Sequence, residues 1–224
     1  MSLQTKSRWS LILAAVTLLT STPVDAQSAG SGPVRKILAA GRVNSVVDTP
    51  RSFRLERVTI QPGASGSYAG GPGSIYVASG QATVSVGSEN RVLQEGEGTY
   101  FSVGGNALIT AGANAPVALL HFLLIPAAEI NRLVWNGPVQ IAELHRMALP
   151  AAVLKSGPYE FSMIHVTIPA GAPSNPPHMR STAALYYILA DGMITIWPSR
   201  PDGTITGEPR TERRPAGSIQ EVWR

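Results

Sequence analysis

Few residues in this chain of 224 could carry chemistry: it has 4 His and no Cys. His178 and Arg180 stand two apart in Pro176-Pro177-His178-Met179-Arg180. On an extended segment such residues share a face. An imidazole beside a guanidinium suits a small polar or anionic ligand, with the Arg gripping a carboxylate as a two-pronged donor. The competing reading is a surface His on a Pro-rich loop. His165 lies on the run Phe161 to Ile168 and shares a face with Phe161 and Met163. It either lines a binding pocket or is hydrogen-bonded within the fold. Tyr187, with Tyr186 and Trp197, offers rings on which a sugar could stack, although strand aromatics more often cover a core. His121 and His145 stand alone and read as structural. Arg210, Arg213 and Arg214 crowd a Pro/Gly-flanked stretch read as a solvated loop, with a phosphate or acidic-glycan contact as the alternative. Other chemistries are excluded directly. The glycines from Gly63 to Gly73 lack the Lys-Ser/Thr ending of a phosphate-binding loop, no Gly-x-Ser-x-Gly elbow occurs, and no thiol nucleophile exists.

The elements that must position these residues are written twice. Val58-Thr59-Ile60-Gln61-Pro62-Gly63 recurs as Val166-Thr167-Ile168-Pro169-Ala170-Gly171, an offset of 108 residues. Ile75-Tyr76-Val77-Ala78-Ser79-Gly80 recurs as Tyr187-Ile188-Leu189-Ala190-Asp191-Gly192, an offset of 112. A repeat this long is a domain-sized fold used twice. Within each copy short apolar runs alternate with Gly and Pro. Phe53 to Ile60 reads as a half-buried strand, Ser79-Gly80 as a hairpin turn, and Val117 to Ile125 as a further strand. Strands at this spacing predict an all-β antiparallel sandwich or barrel. Residues 126–148 break the pattern. Ala127 to Val134 predicts a short helix, Ile141 to Met147 is ambiguous, and the stretch reads as a connector.

Three features together resemble the cupins: strands joined through a Pro-Gly loop, the run YYILADGMITI (residues 186–196), and RRPAGSIQEVW (residues 213–223) after an Arg-rich turn. The two copies resemble a bicupin over nearly all of the chain beyond residue 26. The resemblance implies tandem jelly-roll barrels. In cupins three His and one Glu hold Fe, Mn, Ni or Zn, ions suited to imidazole and carboxylate. Here His178 matches the first ligand. Arg180 stands at the second, where a guanidinium has no lone pair to give. Ala184 falls at the Glu, and the third His would follow Trp223, where the chain ends at Arg224. In the first copy the loop Ser65 to Gly73 has no His or Glu, Ser102 replaces the motif Pro, and Ala107 falls at the His. The resemblance thus implies a binding or interaction module with no metal cofactor. A metal-dependent oxygenase, isomerase or decarboxylase is the alternative, drawing ligands from elsewhere, such as His165 with His178. An inactive relic is a third reading.

The start of the chain reads as a secretory leader. Lys6 and Arg8 precede the apolar run Leu11 to Leu19, and Ser21-Thr22-Pro23-Val24-Asp25-Ala26 supplies a small-residue cleavage site. The expected organisation is a signal peptide over 1–26, a first barrel over 27–127, a connector over 128–148, and a truncated second barrel over 149–224. The expected compartment is secreted or periplasmic, with no membrane association after cleavage. The absence of Cys leaves stability to the hydrophobic core alone. A formal net charge of +4 with scattered basic residues gives no footprint for nucleic acid. A second copy lacking its last strands exposes a sheet edge. Cupins commonly pair through their sheets, so a homodimer is expected.

Overall fold

A computed structural model describes the backbone alone of residues 9–18, and residues 32–149, 154–169, 172, 183–196, 198 and 204–222. The described residues form seventeen strands, taken in chain order. They are β1 (Trp9–Leu18), β2 (Val34–Val43), β3 (Arg51–Ile60), β4 (Ser65–Ala69), β5 (Gly73–Ser79) and β6 (Gln81–Val86). Next come β7 (Glu89–Gln94), β8 (Gly98–Phe101), β9 (Asn106–Ala111), β10 (Val117–Pro126), β11 (Trp135–Asn136) and β12 (Val139–Ala148). The last five are β13 (Tyr159–Ile168), β14 (Ala183–Ile188), β15 (Gly192–Ile196), β16 (Arg210–Arg214) and β17 (Ile219–Val222).

Strands β3 to β10 alternate between two sheets except at the β6–β7 hairpin, in the orders β3-β10-β5-β8 and β4-β9-β6-β7. That is the topology of an eight-stranded jelly roll. The β5–β6 turn depends on Gly80, whose φ is +83° and whose missing Cβ would lie 2.5 Å from the Pro116 carbonyl oxygen. The space between the sheets is filled by Val58, Ile60, Ile75, Leu93, Ile109 and Leu119, all buried, among others. Fully burying each such aliphatic side chain contributes about 1.5–3 kcal/mol.

The second unit repeats one of these sheets. In it β13 holds the place of β3, β14 that of β5 and β17 that of β8, in the order β17-β14-β1-β13-β2. The strand leading into each unit crosses to the other. Strand β12 adds to β3 on the first unit's sheet, and β2 adds to β13 on the second's. Residues 141–147, ambiguous in the sequence, are therefore a strand of the first sheet. The two sheets pack face to face through a shared core that includes Phe53, Leu55 and Phe122 on one side and Phe161, Met163 and Leu185 on the other. Strand β3 is consequently covered on both faces, not half-buried as its alternation suggested.

Three further expectations are corrected. The helix foreseen over residues 127–134 shrinks to one 3-10 turn, Ala127–Glu129, because the chain then turns inward to seat Val134 and Trp135 in the first core. The loop Ser65 to Gly73 is largely strand β4. The Arg210, Arg213 and Arg214 stretch is strand β16, paired with β15. Its cations are matched within the fold: Arg213 reaches Asp191 at 2.7 Å, and Arg210 and Arg214 reach Glu212 at 3.0 and 2.7 Å.

Candidate functional site

The buried polar cluster lies in the first barrel, at residues that the sequence motifs did not flag. Alternation along β3 turns Phe53 and Leu55 toward the second unit and Arg54 and Glu56 into the barrel. Arg54 and Glu56 are only 3% and 5% exposed, and His121 on β10 is fully buried. His121 is the cross-strand partner of Glu56. Arg54 Nε lies 2.9 Å from Glu56 Oε1, an ion-pair contact too poorly aligned to count as a hydrogen bond. The same guanidinium donates from Nη1 to the Ile130 carbonyl at 2.5 Å and from Nη2 to the Arg132 carbonyl at 3.0 Å. It thereby ties the connector to the barrel.

Trp135 fixes the state of His121. The indole Nε1–H, a donor only, donates to His121 Nδ1 at 2.9 Å. Nδ1 is therefore unprotonated, and the neutral ring carries its hydrogen on Nε2. Burial pushes the His121 pKa below its ordinary value in the same sense; Glu56, 3.7 Å away, opposes the shift. Besides Arg54 Nε, two polar atoms in the cluster, Glu56 Oε2 and His121 Nε2, have no hydrogen-bond partner among the described residues. Around them the interior is filled by rings. Tyr68 packs 4.9 Å from Phe101, 4.9 Å edge-on from His121 and 5.7 Å from Trp135. The Tyr68 hydroxyl donates to the Gly71 carbonyl, and burial pushes its pKa up. Ala107, at the motif His position, is buried opposite Tyr68 on the neighbouring strand. Among the described residues no three His, Asp or Glu side chains gather as metal ligands.

The sequence-predicted residues fall elsewhere. His178 and Arg180 lie outside the described residues, as does Trp197. Tyr187 and His165 sit at the interface between the units, where they form half of a symmetric arrangement. The Tyr187 hydroxyl accepts from Arg57 Nη2 at 2.9 Å. His165, the counterpart of Arg57 in the repeat, packs edge-on at 6.3 Å against Tyr76, which holds in β5 the register place that Tyr187 holds in β14. Each unit thus sends one β3-type polar side chain to the other unit's tyrosine. His165 Nε2 has no hydrogen-bond partner among the described residues, and burial, then Lys36, lowers its pKa. Tyr186 points away from Tyr187 and packs on Val166 and Ile188. His145 contacts Glu221 at 2.6 Å, joining β12 to β17 across the units.

A shallow depression of about 500 Å³ opens on the outer face of the β4-β9-β6 layer. Ser67, Ser85 and Asn106 are its polar lining, with Ala69 and Leu108 beside them. It holds no charge.

No protein-family model and no curated protein sequence matches the chain. Among solved structures the chain is similar to a cupin 2 conserved barrel domain protein from Salinispora arenicola CNS-205. That match has 16% identity, covers 52% of this chain and 96% of that one, and has a TM-score of 0.32. It is also similar to an RmlC-like cupin from Shewanella frigidimarina NCIMB 400, at 17% identity over 51% of this chain and 96% of that one, with a TM-score of 0.29. A cupin protein from Bacteroides fragilis aligns at 19% identity over 45% and 89%, with a TM-score of 0.28. The jelly-roll assignment rests on the strand order itself.

Proposed function

We propose that this is an exported, cupin-like two-unit protein that works by binding or interaction, not through a metal in its first barrel. One observation carries the reading: Tyr68, Phe101, His121 and Trp135 occupy the barrel interior as a packed ring cluster, with Nδ1 of the buried His already engaged by an indole. Of the buried groups there only Glu56 Oε2 has a free lone pair, since His121 Nε2 carries the ring hydrogen, and one ligand is fewer than the three of a typical catalytic zinc site. The Arg54–Glu56 pair instead anchors the connector. Ligand recognition is assigned to His178 and Arg180, whose chemistry fits a carboxylate.

Elemental analysis of the purified full-length chain tests this. Sub-stoichiometric Fe, Mn, Ni and Zn is the expected result. One metal per chain, lost in His178→Ala, overturns the reading in favour of a metal-dependent enzyme. Calorimetric titration with small dicarboxylates, compared with Arg180→Ala, tests the ligand assignment. The expected homodimer is checked separately by light scattering at micromolar concentration, where a monomeric mass refutes it.

A further inference from the structure

The apolar run near the start of the chain has a place in the fold. Strand β1 lies between β13 and β14, antiparallel to both. In the first unit β10 lies between β3 and β5, also antiparallel to both. The correspondence holds residue by residue. Trp9 opposes Ile168 and Leu18 opposes Tyr159, just as Val117 opposes Ile60 and Pro126 opposes Arg51. Strand β13 follows β3 by 108 residues, the offset of the two Val-Thr-Ile runs, whereas β1 precedes β10 by 108 residues. On the other side Leu11 opposes Ile188 and Ala15 opposes Ala184, matching Leu119 with Val77 and Leu123 with Gly73. The run Trp-Ser-Leu-Ile-Leu-Ala-Ala-Val-Thr-Leu carries no charge, in keeping with a strand paired along both edges.

We propose that Trp9–Leu18 is the closing strand of the second unit. It fills an acceptor slot between β13 and β14 in the register that Val117–Pro126 holds in the first. Without it β14 and β17 have no backbone connection to β13 and β2, because no other pairing among the described strands bridges them. The leader and the closing strand are thus one segment with two exclusive fates. While the segment stays attached, the second sheet is continuous. Cleavage after Ala26 before the unit folds removes the segment, and the slot then presents two unpaired strand edges, whereas a cut made after folding leaves the segment held in the sheet. This goes beyond the functional reading above: the slot is separate from the first barrel and from His178 and Arg180.

The test uses the full chain with a site-specific protease sequence placed between Thr20 and Ala26. The folded protein is nicked there and passed over a sizing column. Co-elution of the amino-terminal fragment, with release only in denaturant, is the expected result. Release of the fragment while the remainder elutes at an unchanged volume, with unchanged hydrogen exchange at residues 159–168 and 183–188, overturns the proposal. Hydrogen exchange on the un-nicked chain gives an independent check through Leu13→Pro, which removes a backbone donor from the middle of β1. Amides of residues 183–188 are expected to lose at least tenfold in protection while those of residues 73–79 keep theirs. Equal protection of residues 183–188 in both chains refutes the strand assignment. If Leu13→Pro does not accumulate, the nicking experiment on the parent sequence still decides.

Discussion

His121 has its Nδ1 occupied by Trp135, its other nitrogen unpartnered among the described residues, and a carboxylate 3.7 Å away. Its lowered pKa makes stability depend on pH in a definite direction. Below the unfolded imidazole's value of about 6.5 the unfolded chain takes up a proton that the folded ring resists. Stability therefore falls as pH drops through 6.5 and levels off only beneath the folded pKa. His165, shifted in the same direction, adds to the effect. In His121→Asn the amide oxygen can still accept from the indole, and the acid-side slope of urea-unfolding free energy is expected to flatten. An unchanged slope would assign the acid sensitivity to other groups. Trp135→Ala removes both the hydrogen bond and the ring that fills the barrel, so a loss of about 3–5 kcal/mol is expected in the same assay. Truncating Arg54 to Ala leaves Glu56 buried without its counter-charge, and an expected loss of about 3–5 kcal/mol follows. Of these residues the sequence marks only His121, as a lone structural His. Arg54 and Glu56 lie on a strand read only as half-buried, because alternation reports which residues share a face but not whether that face meets water or another sheet. The available clue was His121, the one polar residue in the apolar run Val117 to Ile125.

At the level of elements, close backbone approach decides which strands can pair. A Cβ on Gly98 would lie 2.7 Å from the Ile75 carbonyl oxygen and 2.6 Å from Met163 Cε. That glycine therefore admits both the β5–β8 pairing and the second unit's sheet. Gly98→Ala is expected to cost about 1–3 kcal/mol through overpacking, read as a lower urea midpoint with an unchanged m-value. An effect near zero would mean that the two sheets have room to separate. The strands themselves were largely readable. The runs around Val58 and Val166, the Gly80 turn and the antiparallel class follow from apolar spacing and turn residues. The roles of β12 and β2 were not, since Ile141 to Met147 looks alike whether it pairs with its own unit or with the other. Pairing partners are chosen by sheet edges distant in sequence.

Taken as a whole, the molecule is two units held by one shared core. Phe53, Leu55 and Leu120 of the first unit pack with Phe161, Met163 and Leu185 of the second. Because that core belongs to both, the chain is expected to melt in a single calorimetric transition. Leu55→Ala should destabilise it by about 2–5 kcal/mol without splitting the transition. Two resolved transitions in the parent protein would show that the units fold independently. Tyr187→Phe, which gives up only the bond to the exposed Arg57, should cost no more than about 1 kcal/mol in the same experiment.

The sequence by itself determined the all-β class, the 108-residue repeat, the turn glycines and the absence of His or Glu from the first copy's motif positions, because these depend on local spacing and residue type. Only the tertiary structure decided that Arg54 and Glu56 face inward onto His121, that each unit lends a strand to its neighbour, and that an apolar run readable as a leader can stand in line as a sheet's central strand. Those outcomes turn on which surfaces meet. An apolar or alternating segment carries the same pattern whichever partner finally covers it.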